Sequence, residues 1–220
     1  MSTYLLGWAI HDFERINSTV KEFGMWVRGN STYFKNSPIL NEGLKVYSEL
    51  EKWMPLKNPV KKFDHFAVPD FYFSAMENWG FITFRESVGR INFNEISFNN
   101  LYNNLVTIGH EYTHTWFGNL VTPEFWSYAW LKEGFSTYFS YQVLSHLYKE
   151  WNIMDLFIVD NLQTSLLSDS YDHNRTMNGH NVDDPKSTIN AMDFVTYKKG
   201  YTFLLKFLFI IKYNFYLHYL

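Results

Sequence analysis

The sequence predicts an α+β fold, a small mixed sheet followed by helices, on three observations. Short apolar runs punctuated by Pro69 and Gly80 dominate the text up to about residue 93. From about Asn99 apolar residues recur at three- and four-residue spacing instead. No repeat, linker or low-complexity tract separates the two kinds of text. Strands first and helices second put helices against a sheet rather than alternating with it.

The elements follow in order. Thr3–Ile10 reads as a buried strand and the segment around Phe23–Arg28 as a second. Ser37–Pro38 is a helix start, with Ser as N-cap and Pro in the first helical position. Leu40, Leu44, Tyr47, Leu50 and Met54 then mark one face of an amphipathic helix that stops before Pro55. Four strand-like stretches come next, at Phe63–Val68, Phe71–Ala75, Phe81–Phe84 and Ile91–Phe93. Leu101, Leu105, Ile108 and Tyr112 line one face of a helix that Gly118 is expected to end. Further helices are expected near Leu131–Tyr148 and Ile153–Leu167. A loop rich in Asp, Asn and Ser covers 168–192, and a last helix starts near Phe194.

Composition removes several classes of function. A chain of 220 residues that is 46% hydrophobic and 20% aromatic has enough apolar mass for a core, which excludes disorder. A net charge of −3 with 19 basic residues leaves no electrostatic footprint for nucleic acid. There is no cysteine, so a metal would have to be held by His, Asp or Glu. The apolar stretch Tyr4–Ile10 has no basic residue before it and no small-residue cleavage site, unlike a signal peptide. The tail from Thr202 to Leu220 is nearly apolar, but Lys206 and Lys212 interrupt it, which fits a core helix better than a membrane span.

His110-Glu111-Tyr112-Thr113-His114 has the form HExxH. Residues four apart on a helix differ by about 40° in azimuth, so both imidazoles leave one face at a bite that suits zinc. Glu111 then lies near the metal without being aimed at it, which suits a general base for the attacking water. By composition the pentapeptide arises by chance with a probability on the order of 0.01–0.02. A third ligand strengthens it. Catalytic zinc usually has three protein ligands and one open position, and Glu133 follows His114 on the next expected helix.

Three blocks of the chain resemble the zinc aminopeptidases of the aminopeptidase N (membrane alanyl aminopeptidase) type, a gluzincin family. Ser74-Ala75-Met76-Glu77-Asn78-Trp79-Gly80 is similar to the family's exopeptidase motif. The second block runs from His110 to Thr122 and continues to Glu133-Gly134-Phe135. The third, Thr196-Tyr197-Lys198-Lys199-Gly200, is like the family's Tyr-x-Lys-Gly segment. The resemblance implies a thermolysin-like zincin catalytic domain over residues 1–220, incomplete at the carboxy end. The family's amino-terminal β domain and carboxy-terminal helical domain are not expected within it. It implies one zinc held by His110, His114 and Glu133, with Glu111 as base. Glu77 would bind the substrate's free α-ammonium group, beside Ala75, Met76 and Asn78 of the same substrate-binding motif. Tyr197 would donate to the oxyanion of the tetrahedral intermediate. The implied partners are peptides with a free amino terminus, and the implied location is the plasma membrane or its extracellular face, with cytosolic relatives as the alternative.

Two positions depart from the family pattern. Ser74 stands where the motif usually opens with glycine, and Tyr201 replaces a small residue after Lys-Gly. Two rival functions belong to other classes. A zinc endopeptidase of the same superfamily would cleave blocked peptides as readily as free ones; a non-catalytic fragment would bind zinc or peptide without turnover. Three N-glycosylation patterns, at Asn17, Asn30 and Asn174, match the number expected by chance. His65, His146, His173 and His180 have no ligand spacing among themselves.

Overall fold

A computed structural model describes residues 2–29, 31–90, 96–171, 176–178, 182, 184–193 and 195–205. The expected strand at Ile91–Phe93, His173, His180 and the tail beyond residue 205 lie outside these. The chain forms two compact units, Met1–Val121 and Thr122–Leu220.

The first unit is built on a five-stranded mixed sheet of order β1-β2-β3-β5-β4. Its strands are β1 (Glu14–Asn17), β2 (Phe23–Val27), β3 (Phe63–Val68), β4 (Ala75–Met76) and β5 (Phe81–Arg85). The β1–β2 and β4–β5 pairs are antiparallel, whereas β2–β3 and β3–β5 are parallel. A parallel pair needs a crossover, and the one between β2 and β3 contains helices α1 (Pro38–Asn41) and α2 (Gly43–Trp53). The Ser37 hydroxyl accepts a hydrogen bond from the Ile39 N–H, the cap that the sequence announced. The single expected helix is two, α1 ending at Asn41 and α2 starting at Gly43, with Glu42 between them. After β5 come α3 (Glu86–Gly89) and α4 (Phe98–Thr113).

Three expectations for this unit need correction. Thr3–Ile10 is not a strand. It holds one short 3-10 turn, Thr3–Leu5, and Leu6, Trp8 and Ile10 are exposed. The sheet edge goes instead to Glu14–Asn17, which pairs with β2. Of the expected strand Phe71–Ala75 only Ala75 is in a strand, the two-residue β4 (Ala75–Met76). The Arg85 guanidinium takes the Phe71 and Tyr72 carbonyls, which satisfies by side chain what a ladder would have satisfied. Helix α4 ends at Thr113, five residues before Gly118. Its buried face runs through Tyr102, Leu105, Ile108 and Tyr112, with Leu101 only half-buried.

The second unit is helical among its described residues. It contains α5 (Ala129–Leu147), α6 (Ile153–Phe157), α7 (Thr164–Asp169) and α8 (Pro185–Ala191). A π-helical stretch, Ile158–Gln163, joins α6 to α7, so the helix expected over 153–167 is present with a widened middle. Helix α8 overturns the loop expected there. Asp184 caps it, Ser187 returns the capping box and Pro185 opens it, signals hidden in a stretch dominated by turn-forming residues. The last segment begins as a π-helix, Val195–Lys199, and continues as α-helix over 200–205. Among the described residues no helix is long and apolar enough to cross a membrane.

Candidate metal centre

Helix α4 delivers the HExxH residues. The Ser97 hydroxyl caps it by accepting from the Asn100 N–H, and Leu105, Ile108 and Tyr112 are fully buried along one face. That leaves His110 half-buried, and Glu111 and His114 buried, on the remaining faces. His114 is the C-cap and keeps helical dihedrals, so the four-residue spacing holds to its end. The two Nε2 atoms converge to 2.9 Å.

Second partners decide what those nitrogens can do. His114 Nδ1 lies 2.8 Å from the Phe117 carbonyl oxygen, which can only accept. Nδ1 therefore carries the proton, and Nε2 keeps its lone pair pointed at His110. This is the tautomer and orientation that an imidazole ligand needs, fixed by an outer hydrogen bond. Two nitrogens on one tetrahedral zinc at 2.0–2.1 Å each would be roughly 3.3 Å apart, so a small opening of the pair admits the metal. The donor set fits zinc.

Two carboxylates join the pair. One ligand atom each from Glu77, Glu111 and His114 lies within 4.8 Å of the others, and all three residues are buried. Like charges this close disfavour each other's ionised form unless a cation lies between them. A cation held between them would answer that need. Glu77 follows directly on the edge strand β4, in which Ala75 pairs with Phe84 and Met76 with Thr83. Its Oε1 accepts from the Tyr4 hydroxyl at 3.1 Å, and its backbone carbonyl accepts from Asn119 Nδ2 at 2.8 Å. Asn78 is turned toward the sheet, where its Oδ1 accepts from the Thr83 hydroxyl. Tyr4 and Asn119 carried no assigned role in the sequence reading. No local pattern picks Tyr4 out among 16 tyrosines.

Glu133 and Tyr197 belong to the second unit. Glu133 lies in the second turn of α5 and is buried, its Oε1 accepting from the adjacent, equally buried Lys132. Tyr197 is half-buried in the π-helical stretch Val195–Lys199. These two segments meet through glycines. A Cβ on Gly134 would come within 3.0 Å of the Gly200 carbonyl carbon and the Tyr201 nitrogen, and one on Gly200 within 2.9 Å of the Trp130 carbonyl oxygen. Backbone contact this close fixes the Glu133 turn against the helix that carries Tyr197, and explains why both positions are glycine.

Residues 39–212 match the description "Peptidase family M1 domain". The chain belongs to peptidase family M1. It is 33% identical over 213 residues to aminopeptidase N of Mus musculus, covering 91% of this chain and 21% of that protein. It is 32% identical over 212 residues to aminopeptidase A of Gloydius brevicauda, covering 93% and 22%. It is 31% identical over 211 residues to glutamyl aminopeptidase of Sus scrofa, again covering 93% and 22%. The chain thus spans about a fifth of the length of the curated relatives it matches. Family M1 peptidases are zinc-dependent, and the α+β architecture accords with the family's catalytic domain.

Proposed function

We propose that this chain is a zinc-dependent aminopeptidase that removes the amino-terminal residue of peptides, its 220 residues acting as a thermolysin-like catalytic domain. The observation that carries the reading is the convergence of Glu77, Glu111 and His114 beside the His110 imidazole. His110 and His114 would hold the metal, with Glu133 as third ligand, a role supported by its offset from His114 and its burial. Zinc, when bound, supplies Lewis acidity that polarises the scissile carbonyl and makes water a better nucleophile. Glu111 accepts the proton of the attacking water and returns it to the leaving amine. Tyr197 would donate a hydrogen bond from its hydroxyl to the oxyanion, an interaction typically worth about 2.7–4 kcal/mol of barrier.

Glu77 makes the peptidase an exopeptidase. A buried carboxylate oriented by Tyr4 forms a charge-assisted hydrogen bond with a free α-ammonium, which an acylated terminus cannot reproduce. Ala75 and Met76 line the edge strand along which the substrate backbone would lie. The test uses the whole chain with added zinc and compares a leucyl fluorogenic amide with its N-acetyl counterpart, beside Glu111→Gln. Turnover of the free amine alone, lost in the variant, is expected. Equal cleavage of both substrates would make it an endopeptidase, and no turnover above the variant would make it a non-catalytic fragment.

A further inference from the structure

The face of α4 turned away from the ligands carries a buried polar chain. Tyr112 lies between His110 and His114 in sequence and about 200° of azimuth from each. Its side chain is fully buried, and its hydroxyl is 3.0 Å from Nε2 of His65, a fully buried residue in the middle of β3. His65 Nδ1 in turn is 2.7 Å from the Gly24 carbonyl oxygen on β2.

Proton placement follows from these partners. The Gly24 carbonyl can only accept, so His65 Nδ1 holds a proton. Burial pushes the His65 pKa down to about 4, outweighing the Gly24 hydrogen bond and the Asp64 charge that favour its cation, so the ring is neutral and Nε2 keeps a lone pair. The Tyr112 hydroxyl carries the one proton that can fill the 3.0 Å gap to that lone pair, so it is the donor. The Ile39 carbonyl, 3.5 Å from the hydroxyl, is too far to compete for its one proton. The phenol is also confined sideways, because a Cβ on Gly43, the first residue of α2, would meet its oxygen at 2.5 Å.

We propose that the Tyr112–His65–Gly24 chain is a positioning device that sets the rotation of α4 about its own axis, and through it the aim of His110, Glu111 and His114. The inference rests on the zinc reading above. Burial of Leu105 and Ile108 stabilises the helix in place but has no preferred direction, whereas a hydrogen bond to a ring fixed by its own second bond does. The lever is long. A 10° rotation of α4 moves an imidazole nitrogen by about 1 Å, given the Cα radius of about 2.3 Å and the side chain beyond it. Displacements of that size cost on the order of 100-fold in well-ordered sites. Tyr112 and His65 touch neither metal nor substrate; they act through the ligands.

The test is a double-mutant cycle in the full chain, with Tyr112→Phe, His65→Leu and the pair. The readouts are zinc affinity by competition with a chromophoric chelator, the midpoint of thermal unfolding, and kcat and KM on a leucyl amide. Each single change is expected to weaken zinc binding by roughly 10- to 100-fold and to lower kcat with KM little changed. The double change removes both partners together, so its unfolding midpoint should return most of the way to wild type while zinc affinity and kcat stay low. Recovery of affinity and kcat in step with stability would reduce the pair to a packing role and overturn the proposal. So would single variants that bind zinc as tightly as wild type. Nitrogen NMR of the wild-type imidazole checks the same point without a variant: Nδ1 should be protonated and Nε2 not, and the opposite tautomer contradicts it. A wild-type chain that binds zinc with the expected variant pattern but hydrolyses nothing overturns the aminopeptidase reading alone, whereas one that binds no zinc overturns both.

Discussion

Helices α4 and α5 carry between them the three residues read as metal ligands, and they are held in place by different means. Helix α4 buries an apolar stripe, Tyr102, Leu105, Ile108 and Tyr112, and at its end also Glu111 and Thr113; Ser97 caps its start and His65 pins its end through Tyr112. Helix α5 is buried on most sides, and its interior includes Lys132, Glu133, Ser136 and Ser140 among the apolar residues. One helix is aimed by an amphipathic face and a directional bond. The other is held through glycines, Gly134 and Gly200, that let the last described helical segment press against its backbone. The residues read as ligands thus lie on one helix with a readable apolar stripe and on another without one.

Removing ligands tests that comparison most severely. His114→Ala is expected to weaken zinc binding by more than the roughly 100-fold upper range for an outer partner, measured by chelator competition. Glu133→Ala should match it. A Glu133→Ala chain that binds zinc as tightly as wild type would remove Glu133 from the proposed ligands.

Acid should find the weak point of α4's support. His65 has a folded-state pKa of about 4, below the ordinary value near 6.5, so it binds its proton more readily in the unfolded chain. Its neutral form contributes stability fully above pH 6.5, and that contribution is lost as pH falls from 6.5 through 4. Over that window the loss amounts to about 3 kcal/mol. Urea midpoints at pH 7 and pH 4 measure it, and His65→Leu should flatten that part of the slope.

Helix α5 should fail by crowding instead. Gly134→Ala forces a methyl group against the backbone at Gly200 and Tyr201 and should cost about 1–3 kcal/mol, read from thermal unfolding. The smallest effect expected is at the start of α4, where Ser97→Ala removes the cap and about 1 kcal/mol.

Much of this was legible in the residues. The α+β class, strand β3 to the residue, the Ser37 start of the crossover helices, and the HExxH face all follow from periodicity and capping, whereas the Ser97 cap of the ligand helix was not picked out. What escaped did so for identifiable reasons. Residues Phe71 and Tyr72 look like strand, but their carbonyls are taken by Arg85, a contact between segments that no local pattern encodes. Helix α8 hid among turn-forming residues whose capping box was nonetheless present. His65 was set aside for want of ligand spacing, because its importance comes from a partner 47 residues away and not from its neighbours. Tyr4 was read as part of a strand, whereas its hydroxyl reaches Glu77 across 73 residues.

The account stands or falls on Glu77, and one ratio measures it. With wild type and Glu77→Ala at saturating zinc, kcat/KM is determined for a leucyl amide and for its N-acetyl form. The account predicts that wild type cleaves the free amine and ignores the blocked one, and that Glu77→Ala collapses this preference by at least about 10-fold, the loss of one charge-assisted hydrogen bond of about 1.5–3 kcal/mol. An unchanged preference in Glu77→Ala would contradict it.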